Sequence, residues 1–283
     1  MPPSFRQELV GVFGWPVAEN PTQAMIEPAF KAMGLDWRYL TVEVPPAQLA
    51  NAVRGAVAMG WRGFNCTIPH KVAVIPLLTE LSPAATAIGA VNCVVIRDGR
   101  LIGDNTDGKG FLQTVQVVRS IAGVEAVILG AGGAARAVAM ELALAGARSI
   151  TIVNRSLEKA EELALRVQKL TGVESKAVRW VGDYQPSATT DLLVQATSIG
   201  LYPDIDARVG VDLAVLKPGA IVCDVIPNPP RTRLIREAEA LGLTALDGLG
   251  MLVNQGVIGI ELWTGQTPDS TIMCDSLKSA FSE

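Results

Sequence analysis

A chain of 283 residues is long enough for one large domain or two of ordinary size. With 49% hydrophobic and 18% charged residues it is not disordered, because such a composition buries enough apolar surface to offset the entropy of ordering. The 24 lysines and arginines against 28 acids leave a net charge of −4, which excludes the basic footprint of a nucleic-acid binder or a polybasic membrane surface; small neutral or acidic metabolites remain as partners.

The opening MPPSFRQELVGVFG has no basic stretch followed by an apolar one, and the long apolar run AVAMELALAGA is broken by Glu141. A cytoplasmic protein is expected. Cys66, Cys93, Cys223 and Cys274 fall at no metal or redox spacing, so reduced core thiols and no metal are predicted. His70 is the single histidine, which rules out a His-rich zinc site and makes any Ser-His-Asp triad depend on that one ring.

In chain order, short apolar runs at 9–14, 38–44, 63–68 and 92–96 alternate with helical patterns such as PAQLANAVRGAVAMG, which predicts βα units and a mostly parallel sheet. The helix after Thr22 carries Pro28 within its pattern, and an interior proline costs about 3 kcal/mol, so a boundary or first turn is predicted near Glu27–Pro28. From Asp107 a bridging helix leads into a second series. A strand at 124–130, a helix, a strand at 149–154 and a further helix form one βαβ unit and its continuation. Strands are predicted in KAVRWV, DLLVQA, GAIVCDV and TALD, followed by two terminal helices that pack back on the first half.

Gly130, Ala131, Gly132, Gly133, Ala134 and Ala135 read G-x-G-x-x-A between a strand and a helix. Gly130 permits the tight turn, Gly132 lets the backbone approach a pyrophosphate, and Ala135 lets the helix sit close to the sheet. The helix amino terminus then faces the anion. The following strand ends at Asn154-Arg155-Ser156, where an NAD enzyme carries an acid for the ribose hydroxyls. No acid stands there. Arg155 and Lys159 are placed to face a 2′-phosphate, with Asn154 and Ser156 adding hydrogen bonds, so NADP is the predicted cofactor.

In the first half, Thr67-Ile68-Pro69-His70-Lys71 closes a strand and opens a helix, putting Lys71 at the carboxyl edge of the sheet, where α/β ligands bind. Asn92 begins another strand, and Asp107 follows Asn105-Thr106 at the start of the bridging helix. Taken singly, these are a surface lysine, a turn former and a helix cap.

Together, the segments GVFGWPVAENPTQAM, GFNCTIPHK, IGAVNCVV, GDNTDGKGF, VILGAGGAARA, VNRSLEKA, ATSIGL and DGLGMLVNQG, in this order, resemble the shikimate/quinate dehydrogenase family over nearly the whole chain. The resemblance implies an α/β fold: an N-terminal α/β substrate domain (1–106 and 248–283) and a Rossmann doubly wound NADP-binding domain (107–247), with the C-terminal helices returning to the former. It implies reversible hydride transfer between NADP(H) and a ring hydroxyl or ketone of shikimate, quinate or a close analogue. Lys71 and Asp107 match the catalytic pair that handles the proton. Asn20, Thr22, Thr67, Asn92 and Gln255 match substrate positions; Thr197, Ser198, Gly248 and Met251 match the cofactor side. The expected partner is a small cyclic polyol acid, and the expected state is a monomer or homodimer. An aminoshikimate-type or other cyclic-polyol dehydrogenase, or a non-catalytic NADP-binding sensor, is the alternative.

Several positions depart from the family pattern. Where the family offers two serines to the substrate carboxylate, this chain has Asn20 and Thr22; Glu19 stands for histidine, and Gln23, Ile26 and Glu27 for proline, histidine and asparagine. Pro227 replaces a tyrosine, and Gln195 an asparagine. A site built for one hydroxyl pattern rejects analogues that leave polar groups unpaired, so altered substrate recognition is expected around an intact catalytic pair.

Overall fold

The computed structural model describes residues 5–282, which divide into two compact units, residues 5–106 with 256–282 and residues 107–255. The first unit contains β1 (Glu8–Gly14), α1 (Thr22–Ala32), β2 (Trp37–Glu43), α2 (Leu49–Ala58), β3 (Gly63–Cys66), α3 (His70–Ala73), β4 (Glu80–Leu81), α4 (Pro83–Ile88), β5 (Cys93–Arg97) and β6 (Arg100–Asp104). Its sheet runs β2-β1-β3-β5-β6-β4. β1 lies parallel to β2 and β3, whereas β5 is antiparallel to both β3 and β6. β4 is parallel to β6, so three of the five pairings are parallel and the sheet is mostly parallel, as expected, with β5 running against its neighbours. Asp98-Gly99, at φ +52° and +74°, makes the tight turn that joins β5 to β6. Phe13 stacks on Phe64 at 4.6 Å in a core that also holds Trp61, Val53 and Val94.

α1 runs unbroken through Pro28, contrary to the boundary expected there. Met25, Ile26 and Phe30 are fully buried on its inner face, and each burial stabilises by about 1.5–3 kcal/mol, which outweighs the roughly 3 kcal/mol cost of one interior proline.

The second unit contains α5 (Asp107–Gln116), β7 (Glu125–Leu129), α6 (Gly133–Leu144), β8 (Ser149–Asn154), α7 (Leu157–Thr171), β9 (Glu174–Arg179), β10 (Leu192–Gln195), β11 (Ile221–Asp224), α8 (Arg233–Ala240), β12 (Thr244–Leu246) and the start of α9 (Gly248–Thr264). The sheet order is β12-β11-β10-β7-β8-β9, and every pairing is parallel. The chain turns from one side of β7 to the other between β9 and β10, so the carboxyl ends of β7 and β10 form the switch point at which open α/β sheets bind ligands. Caps mark the helix limits: Ser156 accepts from Lys159 N at the start of α7, and Gly172 closes it at φ +78°.

The division within α9 falls at Gln255, so residues 248–255, expected with the substrate domain, group with the second unit. Here Gly110 of α5 leaves no room for a side chain beside Met251 O and Gln255 N, and Asn254 Nδ2 donates to Thr114 Oγ1 at 3.1 Å. The rest of α9 and α10 (Ser270–Ala280) belong to the first unit: Trp263 Nε1 donates to Val94 O at 3.0 Å, and α10 packs on α1. No helix among the described residues is long and apolar enough to cross a membrane.

Candidate active site

In the second unit the glycine-rich turn lies at the switch point. Gly130 holds φ +113°, and a Cβ there would lie 2.9 Å from Ala196 O and 3.0 Å from Thr197 Cγ2, so only glycine fits between the ends of β7 and β10. A Cβ on Gly132 would meet nothing within 4 Å. Gly132 is also the N-cap of α6 and gives it no side-chain cap, which leaves that helix's first amides facing open space. Ala135 is fully buried, so α6 sits close on the sheet. Exposed amides, an open approach and a helix amino terminus suit a pyrophosphate, and NADP would be held here by Gly130, Ala131, Gly132, Gly133 and Ala134.

The two glycines are expected to separate folding from cofactor binding. Gly132→Ala should leave Tm unchanged while raising the Kd for NADP at least about tenfold, roughly 1.4 kcal/mol, whereas Gly130→Ala should lower both stability and affinity. Thermal melts with NADP fluorescence titration read both quantities. Unchanged affinity in the Gly132 variant would show that the pyrophosphate does not approach there.

At the end of β8, Asn154 Nδ2 donates to Ser156 O at 2.9 Å, and Ser156 Oγ accepts from Lys159 N at 3.4 Å. These two side chains shape the turn, while Arg155 and Lys159 point their charges to solvent. Beyond β10, buried Gln195 accepts from Thr197 N at 2.6 Å and donates to Ile199 O at 3.0 Å, so this departure from the family pattern molds the loop holding Thr197 and Ser198. Gly248 opens α9 with its Cα against Ile226 O, Met251 is buried, and Gln255 Nε2 donates to Leu252 O of its own helix at 2.9 Å.

In the first unit, Thr67 N donates to Phe13 O at 3.0 Å and Thr67 O accepts from His70 N at 2.7 Å, which turns the chain out of β3 into α3. Lys71 is half-buried, and its carbonyl accepts from Val91 N at 2.7 Å, next to Asn92. Burial pushes the Cys66 thiol up to about 12, and the Lys71 ammonium offsets part of that, so the charge lies within reach of the end of β3. His70 is fully buried and donates from Nε2 to Val44 O at 2.7 Å, which removes it from any triad. Asn92 Oδ1 accepts from Thr106 N at 2.7 Å, and its Nδ2 donates to Thr106 Oγ1 at 3.0 Å. The residue before Asp107 is thus fixed by Asn92, and buried Asp107 is the first residue of α5 rather than its cap.

Two residues in this network escaped the sequence reading. Tyr39 is fully buried beside Thr22 and donates to Asn65 Oδ1 at 2.7 Å; Asn65 Nδ2 donates to Asn92 O at 3.0 Å. Burial holds the phenol's pKa well above its ordinary value, so it remains a donor. Thr22 itself is buried, 4% exposed, next to that phenol. Asn20 Oδ1 accepts from Thr22 N at 3.0 Å, leaving that side chain's amide donors as its outward groups. Glu27 accepts from Tyr39 N and pairs with Arg38, so it points to β2. Glu43 Oε1 accepts from Val17 N at 3.3 Å and ties down the start of the loop.

The fold and this turn define an NADP-binding α/β oxidoreductase. Three family models match in sequence: the shikimate dehydrogenase substrate-binding domain over residues 12–94, shikimate/quinate 5-dehydrogenase over 113–199, and the shikimate 5-dehydrogenase C-terminal domain over 248–278. The shikimate dehydrogenase (NADP+) of Methanopyrus kandleri is 44% identical over 95% of this chain and 94% of its own. Among solved structures, the 5-ketofructose reductase of Gluconobacter sp. strain CHM43 is 53% identical, with a TM-score of 0.90 over 98% of this chain and 100% of its own. A shikimate dehydrogenase in complex with NADP+ is 35% identical, with a TM-score of 0.89 over 98% and 96%. The chain belongs to the shikimate/quinate dehydrogenase family and is an NADP-dependent oxidoreductase acting on CH–OH groups.

Proposed function

We propose that the protein reduces a ketone of an uncharged polyhydroxy ketose with NADPH, and runs the reverse oxidation, rather than acting primarily on shikimate or quinate. The observation that carries this reading is the Asn20–Thr22 loop. Of the two residues that stand where the family has carboxylate-binding serines, Thr22 is 4% exposed and lies beside Tyr39, and Asn20 Oδ1 accepts from Thr22 N at 3.0 Å. Between Arg6 and Lys31 there is no lysine or arginine to balance a substrate carboxylate, and Glu19 adds a negative charge. The outward amide of Asn20 suits a sugar hydroxyl. The 53% identity to the 5-ketofructose reductase of Gluconobacter supports the same substrate class.

NADPH supplies the hydride when bound. Reduction of the ketone then needs one proton on its oxygen, and Lys71 is the proposed donor, with Asp107 sharing the charge and the proton. Asn92, fixed against Thr106, and Thr67 are the proposed hydrogen-bonding partners of the substrate hydroxyls, together with Gln255; Gly248 and Met251 border the nicotinamide.

The second reading, shikimate dehydrogenase, is favoured by curated relatives of that name at 42–44% identity. NADPH oxidation with 5-ketofructose and with 3-dehydroshikimate separates the two. The expected kcat/KM for the ketose exceeds that for the dehydroshikimate by at least about 100-fold, the discrimination a mismatched polar site provides. Asn20→Ser combined with Thr22→Ser is expected to narrow that ratio. Comparable or faster turnover of 3-dehydroshikimate by the natural chain would overturn the proposal, and tight NADP binding with no turnover of either would favour a sensor.

A further inference from the structure

We infer that Arg179 is a further residue recognising the cofactor's 2′-phosphate, a position that neither the G-x-G-x-x-A motif nor the Asn154-Arg155-Ser156 turn contains. The inference rests on NADP as cofactor and on that phosphate lying at the end of β8.

The strand register supplies the geometry. Asn154 on β8 is paired with Arg179 on β9, and Trp180 N donates to Asn154 O at 3.0 Å, so both residues lie at the same level of the carboxyl edge. Val153 and Val178, one residue earlier on each strand, pack into one hydrophobic core. Side chains alternate across a strand, so Asn154 and Arg179 both project from the other face. Neighbouring strands lie about 4.8 Å apart, within the reach of an arginine side chain. Arg179 therefore stands beside the turn that carries Arg155 and Lys159.

Charge pairing separates these three cations from others nearby. Arg155, Lys159 and Arg179 are exposed, and among the described residues none of their side chains makes an ion pair or hydrogen bond. Nearby, Lys176 of β9 pairs with Glu174 at 2.9 Å, and Arg136 of α6 pairs with Glu162 of α7 at 2.9 Å. Three exposed cations thus stand on the turn, the following helix start and the neighbouring strand end where an acid is missing, a pattern matched to a dianionic phosphate, and arginine contributes a planar donor fork. An arginine on an edge strand also blunts edge-to-edge pairing, but that role does not distinguish one dinucleotide from another.

The test is equilibrium binding of NADP+ and NAD+ by calorimetry, using the whole chain and its Arg179→Gln, Arg179→Lys and Arg155→Gln variants. Arg179→Gln is expected to raise the NADP+ Kd about tenfold while leaving the NAD+ Kd within about twofold, with the lysine variant between, and the NADP+ loss should shrink as salt is raised. Equal weakening of both cofactors, or no change in the Arg179 variants while Arg155→Gln loses NADP+ selectively, would overturn the role of Arg179 alone. Unchanged selectivity in all three variants would overturn it together with the assignment of the 2′-phosphate to the end of β8. Because Arg179 is exposed at a strand end, its replacement leaves the core intact, and thermal melts of each variant check that.

Discussion

Replacing Lys71 by alanine is expected to lower kcat by roughly 10²–10⁴-fold while leaving NADP affinity unchanged, the signature of losing proton transfer rather than binding. The side chain leaves the second residue of α3, at the carboxyl edge of the first unit's sheet, and its backbone is anchored by Val91. It is half-buried, and its ammonium lies close enough to Cys66 to oppose the effect of burial on that thiol. The glycine-rich turn belongs to the other unit, and the pyrophosphate is expected to bind there without this amine. Asp107→Asn, which keeps the size and one acceptor of the side chain, is expected to show a comparable fall. Steady-state reduction of the ketose with saturating NADPH, alongside NADPH fluorescence titration, reads the two quantities. A Lys71→Ala enzyme with kcat within about threefold of the natural one would remove the lysine from the proton path.

The parts of this molecule that the sequence discloses are those whose physics is local. A strand, a tight turn needing positive φ at Gly130, and a helix beginning at Gly133 follow from consecutive residues, and the second unit's parallel sheet follows from the alternation of apolar runs with helical periods. The hairpin between β5 and β6 is also written locally, in Asp98-Gly99, yet β6 offers only Leu101 and Ile102 as apolar residues and was absent from the predicted strands. Pro28 misled because a local penalty was weighed without the burial of Met25, Ile26 and Phe30, which depends on elements distant in sequence. The link from Tyr39 through Asn65 to Asn92 was illegible for the same reason: its hydrogen bonds span 26 and 27 residues between Tyr39 and Asn65 and between Asn65 and Asn92. The substitutions at Asn20 and Thr22 were visible in sequence, but only the structure shows that Asn20 Oδ1 is taken by Thr22 N and that Thr22 is buried beside Tyr39.

Stability of the second unit is expected to fall as pH rises from about 4 to about 7 through a single carboxyl, that of Asp224. The residue ends β11 and is 2% exposed; its Oδ1 accepts from Ile226 N at 3.0 Å and its Oδ2 from Thr232 Oγ1 at 2.8 Å. It thereby holds both ends of the turn between β11 and α8, and the same Thr232 hydroxyl caps α8. Burial raises its pKa from the ordinary 3.8 to about 7; the two hydrogen bonds oppose the rise, and the Asp247 carboxylate adds to it. Between those two values the folded protein keeps a proton that the unfolded chain has released, so each pH unit in that window removes about 1.4 kcal/mol of stability. The contribution is complete below about pH 4, is lost progressively up to about pH 7 and is constant above it, amounting to roughly 4 kcal/mol over the window. Asp224→Asn has no such proton to lose. Urea unfolding of both proteins across pH 4–8 is expected to show the natural chain losing stability relative to the variant by about that amount as pH rises. A difference between the two that stays constant with pH would mean that Asp224 titrates alike in the folded and unfolded chains, and that its hydrogen bonds to Ile226 and Thr232 fully compensate its burial.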